Sequence, residues 1–167
     1  MRIALAFVAF QAGWFACVLG AAQGAGWVGL CVIAAVALVY LAKAPKRAPL
    51  YLAACAALGF GLDSGLTMAG LLRFDGEPQV SPLWMTALWV NFATFAPVGL
   101  RWLYGRGALA AALGAAGGPA AYWAGERLGA LGWTTPQAVG AVAAEWAAAT
   151  PAIFWLASWM EDGERPA

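Results

Sequence analysis

Asp63 is the one acidic or basic residue between Arg47 and Arg73, set in the otherwise apolar stretch "GFGLDSGLTMAG". Glu145 stands in a second apolar run, and Gln11 and Asn91 stand near the middle of two more. Two carboxylates in one low-dielectric pocket can hold and pass a proton, which is the chemistry that these residue types suggest. The alternative is interhelical glue, with a protonated Asp63 bonded to Gln11 or Asn91 and worth roughly 1 kcal/mol per bond. Both readings stay open at this level.

A second candidate site lies in "LGAAGGPAAYWAGERLG", residues 113–129. Pro119 removes a backbone donor and crowds the preceding turn, so a kink or break is expected at Gly117-Gly118-Pro119. Tyr122 and Glu126 then share one helix face, with Arg127 about 100° around from Glu126. Arg127 is expected to pair with Asp75, Glu145 or an anionic headgroup. A broken helix bearing such groups is where polytopic proteins often hold a ligand. A packing kink with an interfacial charge pair accounts for the same residues.

Other chemistries are poorly served. The chain has no histidine, and Cys17, Cys31 and Cys55 are separate residues inside apolar runs, so no disulfide framework or transition-metal ligand set is indicated. The basic residues form short clusters without the long patch that nucleic acid requires. No cofactor is identified by any motif.

The elements that must position these groups are membrane helices. Of 167 residues, 63% are hydrophobic and 10% are charged, too few to clothe a soluble core. The reading is an all-α polytopic membrane protein with six spans, at residues 3–21, 26–42, 50–72, 82–100, 108–128 and 138–159. Residues 1–160 form a single bundle and 161–167 a short disordered cytoplasmic tail. The stretch after Met1-Arg2 has the outline of a signal peptide but is read as a retained first span. With alternating spans, Arg2, Lys43, Lys46, Arg47, Arg101, Arg106 and Arg165 fall on one side and Arg73 and Arg127 on the other. That asymmetry puts both termini in the cytoplasm and makes outer turns of "AAQG", "RFDGEPQ" and "GWTTPQ".

Trp27, Trp84, Trp102, Trp133 and Trp159 sit near span ends, where indoles anchor at headgroup level. Small-residue pairs, Gly61 with Gly65, Gly114 with Gly118, and Ala12 with Ala16, are expected to let helices approach closely. Depth alone places Gln11, Asp63, Asn91 and Glu145 in one slab, lined by Trp14, Trp89 or Trp146 depending on helix rotation.

Several stretches together, "FQAGWFACVLGAA" (10–22), "LDSGLTMAG" (62–70), "PLWMTALWVNFA" (82–93), "LRWL" (100–103) and "GGPAAYWAGERLGAL" (117–131), resemble a bacterial inner-membrane family. It is the family catalogued as domain of unknown function 2878. The resemblance implies a multi-pass inner-membrane protein and carries no established activity. Its members resemble products encoded beside cyclopropane-fatty-acid-synthase-like methyltransferases and flavin oxidoreductases, which implies a role near membrane lipid modification. The expected function is an accessory factor or enzyme in modification of lipid acyl chains, and the competing one a small-solute transporter or substrate-capture subunit. Implied partners are membrane lipids, with lipid-modifying enzymes or a second copy of the chain as further candidates. A scaffold without a ligand is the third class.

Overall fold

Long apolar runs separated by short turns have one way to satisfy their backbone in an apolar surrounding, which is to close every amide onto its own helix. The computed structural model describes residues 2–76 and 79–162. It contains six helices among them: α1 (Arg2–Ala22), α2 (Trp27–Leu41), α3 (Ala48–Met68), α4 (Leu83–Gly99), α5 (Gly107–Arg127) and α6 (Gln137–Asp162). A 3-10 turn, Arg101–Leu103, links α4 to α5. Two short strands, β1 (Leu72–Phe74) and β2 (Leu131–Trp133), follow α3 and α5. Three helices, over Ile3–Ala22, Ala48–Met68 and Gln137–Asp162, are long and apolar enough to cross a membrane, and Trp27–Leu41 is a shorter apolar helix.

The third span is shorter than expected. Its helix stops at Met68 because Gly70 turns left-handed at φ +69°, with Gly70 N–H donating to the Thr67 carbonyl and Leu71 N–H to that of Leu66. The end of α5 repeats the device with Gly129 at φ +85°, where Gly129 N–H reaches Glu126 and Ala130 N–H reaches Gly125. Each glycine is followed two residues later by a strand. The expected outer turns "RFDGEPQ" and "GWTTPQ" are therefore partly sheet: β1 and β2 pair antiparallel, Leu72 opposite Trp133 and Phe74 opposite Leu131. Leu72 and Phe74 are buried against Met85, Tyr122 and Val142, so the sheet lies as a lid over one end of the bundle.

α4 is the hub, packed on α1, α2, α3 and α6, whereas α5 packs chiefly on α6 and is tied to β2. Lipid offers no hydrophobic drive for helix association, so close contacts rely on small residues. A Cβ at Gly29 would overlap Cys17 of α1, one at Gly59 would overlap the Trp89 indole, and those at Gly114 and Gly118 would overlap Thr150 and Trp146. Gly13 abuts Asn91 in the same manner. The Gly114 and Gly118 pair is thus a real contact face. Gly61 and Gly65 are not: they point outward with nothing within 4 Å of a Cβ, because Gly59 and Asp63 occupy the inward side of α3. On α1 the inward side likewise carries Gly13 and Cys17, and Ala12 is exposed.

The fifth helix is not broken. It runs unbroken from Gly107 to Arg127 through Pro119, as α4 runs through Pro97 and α6 through Pro151. Packing of the Gly114–Gly118 face on α6 holds both halves to one neighbour, and a lost backbone bond inside a packed bundle is tolerable. Glu161 and Asp162, expected in the tail, continue α6, and Arg101 Nη2 pairs with Glu161 Oε2 at 2.7 Å. Arg165 and residues 163–167 lie outside the described residues.

The two glycine classes separate experimentally. Gly59→Ala should destabilise the bundle by about 1–3 kcal/mol through overpacking on Trp89, while Gly61→Ala should be neutral or stabilising by up to about 1 kcal/mol. Unfolding of both variants in mixed detergent micelles checks the contrast, and equal stabilities would contradict the assigned face of α3.

Candidate functional site

Asp63 is fully buried, and both of its oxygens are taken. Trp89 Nε1 of α4 donates to Oδ2 at 2.7 Å, and the Tyr122 hydroxyl of α5 donates to Oδ1. The meeting of Tyr122 with Asp63 follows from local geometry. Each stands seven residues before its helix's left-handed glycine, Gly70 or Gly129, and the paired strands hold those two helix ends level. Because α3 ends at Met68, this cluster is about 7.5 Å from the helix end at 1.5 Å per residue. It lies under the sheet, shallower than the middle of the bundle. Next to it Ser64 Oγ accepts the Ser81 backbone N–H at 3.1 Å, fixing the segment that leads into α4.

Glu145 of α6 joins the cluster at a distance. It is 8% exposed, it lies within electrostatic reach of Asp63 and Tyr122, and neither carboxyl oxygen has a hydrogen-bond partner among the described residues. The structure thus brings together Asp63, Tyr122 and Glu145, residues drawn from both of the candidate groups.

The other candidates are elsewhere. Asn91 is two residues from Trp89, hence about 200° around α4, and faces α1, where its Nδ2 donates to the Phe10 carbonyl at 2.8 Å. Gln11 is half-buried on α1 and touches neither this cluster nor the cavity described below. Glu126 Oε1 accepts the Trp133 backbone N–H at 3.4 Å and so steadies β2. Arg127 is exposed, lies 5.8 Å over the ring of its own helix's Trp123, and pairs with neither Asp75 nor Glu145.

Trp89 and Tyr122 present their other sides to a cavity of about 360 Å³. The cavity fills the gap left because neither α1 nor α4 packs closely on α5. Phe10, Trp14 and Val18 of α1 form one wall, with Trp84, Leu88 and Phe92 of α4 beside them. Opposite stand Leu113, Gly117, Ala121 and Tyr122 of α5, and Trp146 and Thr150 of α6 close the back. It is a groove, not an enclosed chamber, since its wall includes the exposed Leu113 and Gly117 on the outer surface of α5. From Trp84 to Leu100 it extends about 24 Å along α4, most of a roughly 30 Å hydrocarbon layer.

The groove is aromatic and nearly dry in character. Trp146 stacks on Trp89 with ring centres 4.5 Å apart and an interplanar angle of 17°, and Phe92 meets Trp146 edge-on at 5.4 Å. Trp84 and Trp133, expected near span ends, stand at the sheet end, where their rings lie 5.7 Å from Phe74 and 6.1 Å from Tyr122. Such walls can bind and orient a long apolar ligand, with Tyr122, Trp146 and Thr150 as the nearest polar groups. Trp14, Trp89, Trp146 and Tyr122 were named from the sequence, but Phe10, Val18, Leu88, Phe92 and Thr150 were missed, because apolar side chains on a spanning helix look alike whether they meet lipid or line a groove. The usable signal was the run Gly114, Gly117, Gly118, Ala121, Gly125 along α5, which leaves that helix without bulk on one side.

A family model described as "Protein of unknown function (DUF2878)" matches residues 3–152. No curated protein and no solved structure shows significant similarity to the chain.

The cluster makes a sharp energetic demand. Tyr122→Phe leaves Asp63 Oδ1 buried without a partner and should cost about 1–3 kcal/mol. In a double-mutant cycle with Asp63→Asn, the coupling energy should exceed about 0.5 kcal/mol, and a coupling of zero would show that hydroxyl and carboxyl do not interact.

Proposed function

The chain belongs to the DUF2878 family of proteins of unknown function, and from that premise we propose that it binds the acyl chain of a membrane lipid in the groove beside α5. In this reading it is a six-span protein of the bacterial inner membrane with both termini cytoplasmic. It acts as an accessory factor or enzyme in acyl-chain modification.

The observation that carries the reading is the lateral groove itself. Its walls are aliphatic and aromatic, it opens on the outer surface of a helix bundle rather than at a polar end, and its length matches an extended chain. A volume of about 360 Å³ falls within the usual range of small-ligand sites. Orientation is supported by charge. Lys43, Lys46, Arg47, Arg101 and Arg106 gather in the connections at the end away from the sheet, and Arg73 and Arg127 are at the sheet end. At 17 and 21 residues, α4 and α5 also fall within the length that a span requires.

The Asp63 cluster has a positioning role here. It fixes Trp89 and Tyr122, one on each side of the groove, so the groove keeps its width without direct packing of α4 on α5. A small-solute transporter or substrate-capture subunit, the competing class, would hold its ligand in a pocket closed to lipid, and the lateral opening at Leu113 and Gly117 does not favour it.

Gly117 gives the direct test, because it lines the groove with nothing within 4 Å of a Cβ. A diazirine-bearing phosphatidylethanolamine in nanodiscs should label α1, α4 and α5 of the wild type. Gly117→Trp should fold normally and lose about tenfold of that labelling, equivalent to roughly 1.4 kcal/mol. In cells, loss of the protein should shift the acyl-chain profile seen by lipid mass spectrometry. Equal labelling of wild type and Gly117→Trp would remove the groove as the lipid site.

A further inference from the structure

A second cavity lies just past the sheet end of the groove. Arg73 and Asp75 on one side and Gly129, Ala130 and Gly132 on the other line an open cup of about 460 Å³. Leu131 lines the cup and the groove alike, and Ala130 beside it packs with Val18, itself a groove wall. The apolar cleft and the polar cup therefore adjoin across Leu131.

The cup presents charge of both signs. Exposure alternates along β1 and the residue after it: Leu72 and Phe74 are buried, and Arg73 and Asp75 are exposed. The strand pleat sets these two side chains on one side of the sheet, with Cα atoms about 7 Å apart. Gly132 is the strand partner of Arg73, and a Cβ there would meet Arg73 Nη2 at 3.7 Å, so the guanidinium lies across β2 over the residue that has no side chain. Arg73 and Asp75 nevertheless make no ion pair with each other, and neither has an ion-pair partner among the described residues. At the opposite end of the bundle Arg101 is held by Glu161, and Arg47 by the Trp159 carbonyl and ring.

We infer that the occupant of the groove is a zwitterionic phospholipid whose phosphate is received by Arg73 and whose ammonium group is received by Asp75. The inference rests on the acyl-chain reading above and adds the headgroup to it. A lipid whose chain runs along the groove carries its phosphate at a helix end, the level at which the cup stands. A guanidinium forks onto phosphate oxygens. A carboxylate beside that phosphate disfavours an anionic lipid unless the headgroup brings a cation of its own. Phosphatidylethanolamine brings one, and phosphatidylglycerol does not.

Photolabelling of the full-length protein in nanodiscs tests the assignment, using phosphatidylethanolamine and phosphatidylglycerol that carry the same diazirine-bearing acyl chain. At equal mole fraction the ethanolamine lipid should label the groove about threefold more strongly, the scale of an exposed charge pair. Arg73→Gln should lower labelling by either lipid about fivefold, with Arg73→Lys retaining part of it. Asp75→Asn should bring the glycerol lipid up to the level of the ethanolamine lipid. Equal wild-type labelling by the two lipids, still lost in Gly117→Trp, would overturn the headgroup assignment and leave the acyl-chain reading standing. Labelling that Gly117→Trp does not reduce would overturn both. Sensitivity to Arg106→Gln but not to Arg73→Gln would put the phosphate at the opposite end, and protection by inorganic phosphate alone would give the cup to a soluble anion; either result overturns the inference.

Discussion

Three helices meet on one carboxyl group. Asp63 belongs to α3, one of its oxygens is held by α4 through Trp89, and the other by α5 through Tyr122. That crosstie matters because α5 is otherwise attached on one flank only, to α6, with the sheet beyond its end. A bundle in lipid has little else to draw α5 towards α3, since apolar surface gains nothing by leaving lipid for protein. The polar group that is costly to insert is thus the one that closes the fold, and its cost is offset by taking both partners from other helices.

The groove is the geometric remainder of the same arrangement. α5 leans on α6 so closely that glycine is required at positions 114 and 118, and this lean carries it away from α1 and α4. Leu113 and Gly117, on the neighbouring side of α5, are left facing open space. Large aromatic side chains from α1 and α4 fill part of the gap, and their rigidity keeps the rest from collapsing. Tight packing on one face of a helix and an unfilled cleft on the next are therefore two results of one run of small residues.

Much of this was legible beforehand, and the exceptions have physical causes. Helix positions came through to within a few residues because turns and glycines bound long apolar runs, and α3 was overextended because Leu71 and Leu72 are as apolar beyond the helix as within it. Asp63 stood out as a carboxyl at an improbable depth, and Tyr122 as one of the polar residues beyond Pro119. Their contact with one another did not, since it depends on the rotation of α5 and on the strand pairing that levels the two helix ends. Three-residue strands carry almost no periodic signal. Gln11 and Asn91 were expected at the depth of Asp63, but the end of α3 at Met68 brings Asp63 nearer the sheet than those mid-helix residues, and a hydropathy pattern carries no direction around a helix. Pro119 marked a break that neighbouring packing prevents.

The sheet pairs residues 72–74 with residues 131–133, and the Tyr122 hydroxyl reaches back 59 positions to Asp63, whereas Trp89 reaches back only 26. Chain growth therefore delivers the partners of Asp63 at different times. Helices α1 to α4, with the Trp89 bond available, are made before Tyr122, which follows the last residue of α4 by 23 positions (122 − 99), and until it arrives one side of the nascent bundle lacks both its last tie and its lid. Any factor that assists biogenesis, or any quality-control protease that senses incomplete assembly, would meet the chain with Asp63 half-satisfied and the seat of α5 empty.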